Sequence, residues 1–461
     1  MLAFPKLSET KKQAFTINAF EGLDRRTGAG EKTLLHTENM STQNLPVLST
    51  RRGRKKLFTA EAGEKITGIF GLDMAYMTTE FEGHTRLYAG EDFSSMERVF
   101  TTNDDELVSS LLCKFGTRVC IFNVGVNTNE NSMVGIILTA PTNPTRFPAP
   151  IMSDVMVYAN RVVGCLKNQI RACAEGDVNN WDHREEGEDP TVLAYYSKHE
   201  VKSDFTACTT YKNRAVFFTS DEMFEFSGSD PTQFNLVKVA DVGCINRRAL
   251  CEVDGELYFV SKEGVMKYSG SLPVKVSDEI CNIPKGVQAA LSGAGRTLYV
   301  NFEGERENSL YSYNTETRLW AREDNCEAID LTSYVGHTYL ATQSELYKLG
   351  VDVSEDGENN DGADFPWEFT LQENHSYCPL KKRSSRIDFY VKQPFLNKIS
   401  VYAAFDGGDF SLIQTVRCKK NGVTSVSMRP KVYDSIKIKV CGKGQADLHY
   451  LTHTFSLGGR K

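Results

Sequence analysis

Four segments of this chain open the same kind of strand at equal intervals. Arg214 opens RAVFFTS, Gly255 opens GELYFVS, Arg296 opens RTLYVNF and His337 opens HTYLATQ, each 41 residues after the last. A second strand-like run follows each one: EMFEFSG, GVMKYSG, SLYSYNTETRLW and ELYKLGV. Such β-branched and aromatic runs, bounded by turn residues, spell antiparallel hairpins. Upstream, the segment from Asn160 fits the same template with an insertion at about 182–190, and weaker copies start at Phe115 and Gly83. Six or seven units with a period near 40 residues predict a β-propeller over residues 61–352. An irregular β-sandwich with accidental spacing is the competing reading; three equal steps on one shared plan disfavour it.

The flanks read differently. Residues 1–60 are polar and broken, and predict an extended arm that takes its order from its neighbours. Residues 353–365 have the composition of an acidic linker. Asp352, Ser354, Asp356 and Gly357 partly imitate a calcium loop, but Ala363 stands where the twelfth-position carboxylate would be needed. Runs such as KISVYAAF and SIKIKVCGKG alternate like half-buried strands and predict a β-sandwich over residues 366–461. Helix-period patterns are scarce. The expected fold is therefore all-β: a six- or seven-bladed β-propeller with an extended N-terminal arm and a C-terminal β-sandwich.

The net charge of −7 hides a strong segregation. Residues 1–60 are net +6 and residues 366–461 net +9, while the middle carries 26 Lys/Arg against 48 Asp/Glu. An acidic middle disfavours close binding to a phosphate backbone. The twelve cysteines stand singly with no C-x₂-C pair, which favours buried free thiols over disulfides or metal. No run of about 18 apolar residues predicts a membrane span. The start lacks an apolar signal-type region.

No GxSxG, HExxH or GxxxxGK[ST] pattern occurs, so the sequence predicts no enzyme and no cofactor or metal. WDHREEGEDP places Trp181, Asp182, Glu185 and Glu186 on the inserted loop, where they could meet a ligand or, more blandly, form a solvated acidic loop. RRGRKK supplies Arg51, Arg52, Arg54, Lys55 and Lys56. These cations could face phosphates, or pair with the acidic sheets or a neighbouring subunit. Lys381, Lys382 and Arg383 invite the same two readings.

FEGLDRRTGAGEKTLLHTENMSTQNLPVLSTRRGR resembles the N-terminal pattern of tail-associated β-propeller proteins of tailed bacteriophages, through Phe20, Gly22, Leu23, Asp24, Glu38-Asn39-Met40, Leu45-Pro46 and Arg51–Arg54. The C-terminal stretch VYDSIKIKVCGKGQADLHYLTHTFSLGG and the repeat units look similar too. The resemblance implies a nozzle, hub or adaptor protein of the virion tail, assembled in the bacterial host cytoplasm. Its implied partners are other tail, adaptor or portal-proximal proteins. Further copies of itself in a ring are also implied, with six-fold symmetry one option, as is double-stranded DNA in transit. The alternative is a receptor- or carbohydrate-binding propeller acting in host recognition through Trp181, Asp182, Glu185 and Glu186. A glycan-cleaving propeller, using Asp182 or Glu186, is the third reading.

Overall fold

The structure, a computed structural model, describes residues 12–101, 111–123, 135–138, 144–183, 189–280, 288–303, 308–352, 366–375, 380–392, 398–419 and 421–457. Among them the chain is all-β, with one 3-10 turn at Arg247–Ala249 and no α-helix. Six four-stranded antiparallel meanders follow one another, which we number sheets 1 to 6: residues 65–101, 111–147, 154–198, 205–240, 250–275 and 288–324. Sheet 7 takes three strands from residues 330–351 and its fourth, Gly53–Thr59, from the other end of the sequence.

Within each sheet, burial decides composition. Second strands such as Arg214–Thr219 and Glu256–Ser261 are covered on both faces, so they are apolar in succession and do not alternate. Fourth strands such as Asn235–Ala240 and Val274–Lys275 have no fully buried residue. Apolar clusters join each sheet to the next. Tyr76 and Leu87 meet Leu112 and Ile121 between sheets 1 and 2; Phe122 meets Val162 between 2 and 3. Ile170 meets Phe217, and one large cluster holds Phe218, Phe259 and Val300 of sheets 4, 5 and 6. Tyr299 and Leu310 meet Leu331 and Tyr347, and Leu346 meets Ile66 and Met77, so sheet 7 packs against sheet 1.

The repeat spacing is real in sheets 4 to 7, where the aligned residues open second strands. The copy at Gly83 is one strand out of phase, because His84–Gly90 is the third strand of sheet 1. The cause is a shared turn. Glu82-Gly83 (φ 51° and 84°) has the same paired positive φ values as Asp254-Gly255 and Val335-Gly336, but joins strands two and three.

Residues 12–50 do not form a separate arm. Lys12–Ile17 and Leu48–Thr50 pair with Asp447–Leu457, and Leu34–Glu38 pairs with Pro366–Leu371. With the C-terminal strands they form a five-stranded and a seven-stranded sheet. Phe15, Leu34, Leu48, Phe369, Phe389, Val401, Val440 and Leu451 share one core between them. The N-terminal patches look broken because each strand there buries only two or three side chains. Together, residues 1–52 and 366–461 carry 24 Lys/Arg and 12 Asp/Glu, whereas residues 53–352 carry 29 and 43. A basic two-sheet unit thus adjoins an acidic seven-sheet array.

The ten described cysteines are free, eight of them buried.

Candidate functional site

Arg54 of the basic run and Gly22, Leu23 and Asn39 of the N-terminal stretch converge on one strand of sheet 6, Leu319–Asp324. Arg54 forks onto Asp324 with contacts of 2.8 and 2.7 Å and reaches Glu323 at 3.0 Å. Its side chain is 2% exposed. Burial opposes the guanidinium's charge, but Asp324 and Glu323 overcome that and hold its pKa well above the ordinary value. Arg51 is also buried, donating to Asn39 Oδ1 at 2.7 Å and to the Arg52 carbonyl at 2.8 Å. Asn39, at φ 54°, donates its own backbone N–H to the Glu323 carbonyl and its side-chain amide to the Pro366 carbonyl.

The rest of the motif continues this joint. Leu23 N–H donates to the Trp320 carbonyl at 2.7 Å, and Thr37 exchanges hydrogen bonds with the Arg322 backbone at 2.8 and 3.2 Å. Gly22 has φ 74°, and a Cβ there would sit 3.0 Å from Leu319 Cβ and 3.1 Å from the Trp320 carbonyl oxygen. Only glycine combines that backbone with that approach. As surface contacts for DNA or another subunit, Arg51 and Arg54 are therefore corrected: both are consumed inside the chain. Arg52, Lys55 and Lys56 are exposed, and Lys56 pairs with Glu345 on the neighbouring strand of sheet 7.

Lys381 and Arg383 are exposed at the start of the strand Lys382–Lys392, but Lys382 between them is 0% exposed. Its Nζ donates to the Leu380 carbonyl and lies 5.8 Å from the Tyr433 ring centroid. It too is corrected as a surface contact. Alternation of the strand turns every second side chain inward, and no polar run escapes that geometry. Beside it His453 is sealed in the core, 2.8 Å from Ser384 Oγ, its pKa pushed down to about 4 by burial and then by Lys382.

Trp181 and Asp182 line the other site, an open recess of about 610 Å³ on sheets 2 and 3. Pro148, Pro150, Arg171, Asn179, Asn180, His183, Tyr195 and Tyr196 complete it. The Trp181 indole N–H donates to the Val178 carbonyl at 2.7 Å, and its ring meets Phe122 edge-on. His183 stacks on Tyr196 at 5.0 Å, and the Arg171 guanidinium lies 5.4 Å from the same ring, clamped by Gln169 Oε1. Asp182 N–H donates to Asn180 Oδ1. Glu185 and Glu186 lie outside the described residues, as does the calcium-like stretch after Asp352. Sequence reasoning missed Arg171, Tyr195 and Tyr196. The adjacent tyrosines after the inserted loop were the available signal.

No protein-family model and no curated protein sequence matches the chain. Among solved structures it is similar to the extracellular domain of a hybrid two-component system from B. thetaiotaomicron, at 10% identity and a TM-score of 0.44, over 69% of this chain and 44% of that one. The match thus spans less than half of that structure's length. An exported protein from Bacteroides fragilis aligns at 8% identity and a TM-score of 0.33, over 54% of this chain and 93% of that one. An exo-β-1,3-galactanase from Phanerochaete chrysosporium aligns at 10% and 0.30, over 88% of this chain and 100% of that one. None of the three is a tail protein. At these scores the likeness carries no argument about this chain.

Proposed function

We propose that this chain is a structural component of a bacteriophage tail, a nozzle, hub or other ring protein that docks on neighbouring tail proteins and helps form the channel for genome ejection. In this reading the seven sheets are the blades of a β-propeller and serve as a rigid spacer. The strand Gly53–Thr59 closes the last blade, and the two-sheet unit is a β-sandwich carried on it.

One observation supports this above the others. Of the residues that carry the tail-protein resemblance at the N-terminus, Gly22, Leu23, Asn39 and Arg54 meet the strand Leu319–Asp324, and the C-terminal stretch pairs with Leu48 and Ser49 of the same N-terminal segment. They weld a basic unit to an acidic one. Opposite charge on the two parts of each copy favours head-to-tail contact between copies, which closes into a ring when the rotation allows. Acidic sheets turned toward a lumen would let DNA slide past without adhering. The exposed cations Arg52, Lys55, Lys381 and Arg383 remain candidates for contacts between copies.

Electron cryomicroscopy of the chain, alone at low ionic strength and mixed with the tail proteins encoded beside it, tests this. Closed rings with the two-sheet unit of one copy against the sheets of the next are expected, dispersing as salt shortens the Debye length to roughly 3 Å near 1 M. A monomer under every condition, indifferent to the tail proteins, would contradict it. So would rings whose lumen is lined by basic residues.

A further inference from the structure

The recess at Trp181 shares no residue with the joint. Its volume falls in the range of small-ligand sites, roughly 300–1,000 Å³. Trp181 and Tyr196 are half-buried at the recess, Trp181 meeting Phe122 and Tyr196 meeting His183 and Arg171, while the Tyr195 ring packs on Phe226 and Phe234. Trp320 and Trp367 are 0% and 4% exposed. Two of the lining side chains are set in advance: Trp181 by its indole hydrogen bond and Arg171 by Gln169 and the Tyr196 ring. Pre-set side chains lose little entropy when a ligand arrives.

We propose that this recess binds a neutral hexopyranose oligosaccharide. A pyranose with equatorial substituents presents a flat C–H face that packs on an indole or phenol ring, while its hydroxyls point outward in adjacent pairs. A guanidinium donates to such pairs, a carboxylate accepts from them and a carboxamide does both, two atoms at a time. Arg171, Asn179 and Asp182 supply one of each, beside the aromatic faces. Charges of both signs share the lining, which suits a neutral sugar better than a phosphate or an acidic peptide. The inference does not rest on the tail-component reading. Sugar binding and ring assembly involve different residues and fail separately.

The site carries its own reporter, because the other two tryptophans are buried elsewhere. Titrating the full chain with cellohexaose, laminarihexaose and chitohexaose should give a saturable change in tryptophan fluorescence with at least one of them. Trp181→Phe should abolish the signal. Asp182→Asn, on an exposed side chain, should weaken binding by about tenfold, roughly 1.4 kcal/mol, by calorimetry. Tyr196→Ala should weaken it at least as much. No saturable change with any of the three sugars up to about 10 mM overturns the proposal, since affinities weaker than that are non-specific. So does an affinity unchanged by both Asp182→Asn and Tyr196→Ala.

Discussion

The seven-sheet array and the two-sheet unit solve the same problem, burying aromatic strands, in opposite ways. In the array each sheet is one contiguous meander, and only the strand Gly53–Thr59 comes from elsewhere. In the two-sheet unit strands of residues 12–50 pair with partners at the other end of the chain, as Thr16 and Thr452 do across 436 residues. One part is acidic and local, the other basic and non-local. Local pairing closes short loops, while the unit must first bring the two ends of the chain together. The two-sheet unit should therefore form late and depend on the array that holds its ends.

The largest test of that dependence is Arg54. Arg54→Ala leaves the buried Glu323 and the half-buried Asp324 beside the joint without their guanidinium. It should cost about 3–5 kcal/mol by urea denaturation, since breaking one side of a buried pair strands the other charge. Arg54→Lys keeps the charge but loses the fork, so a smaller loss is expected. If Arg54→Ala costs no more than a surface substitution, the two parts are not held as described.

Next in size is a pH effect confined to the two-sheet unit. His453 is buried with its pKa pushed down to about 4, so in the folded state the imidazole stays neutral while the unfolded chain protonates near 6.5. The stability it contributes is complete above pH 6.5 and is lost as pH falls toward 4, by up to about 3 kcal/mol. His453→Gln should flatten that slope, read as denaturation midpoints across the same pH window. An unchanged slope would place the acid sensitivity elsewhere.

Gly22→Ala should cost about 1–3 kcal/mol, combining the left-handed backbone with the contacts to Leu319 and Trp320. Gly255→Ala, at φ 73° with nothing within 4 Å, carries only the backbone part, about 1 kcal/mol. Equal losses would mean that Gly22 is a turn residue and no part of the joint. Smallest of all, Arg52→Ala should shift stability by less than about 0.5 kcal/mol, because that side chain is exposed. The contrast between Arg52 and Arg54, two positions apart in one basic run, is the sharpest local form of the comparison.

The array was legible because its signals are local. Equal steps from Arg214 to His337 follow from four copies of one strand–turn–strand plan, and the turn chemistry that caused the slip at Gly83 is local as well. The two-sheet unit was half legible. Alternation marked the strands after residue 366, but nothing in Phe15, Leu34 or Leu48 declares a partner hundreds of residues away. RRGRKK was half legible too: pairing with the acidic sheets was one of its two readings, and Arg54 and Lys56 make such pairs, but the burial was not visible. Charge density is visible in a sequence, whereas the burial of Arg51 and Arg54 depends on Asn39, Glu323 and Asp324 arriving from elsewhere. At the recess, Trp181 and Asp182 stood out on an insertion. Arg171 did not, because its place beside Tyr196 follows from strand pairing within sheet 3.

The central claim is that the joint couples an acidic array and a basic unit into one body. Differential scanning calorimetry of the wild type and Arg54→Ala tests it most directly. The account predicts one transition for the wild type, and for the variant an earlier, separate transition of the two-sheet unit with the array's melting little changed. Two independent transitions already present in the wild type, and unmoved by Arg54→Ala, would contradict it.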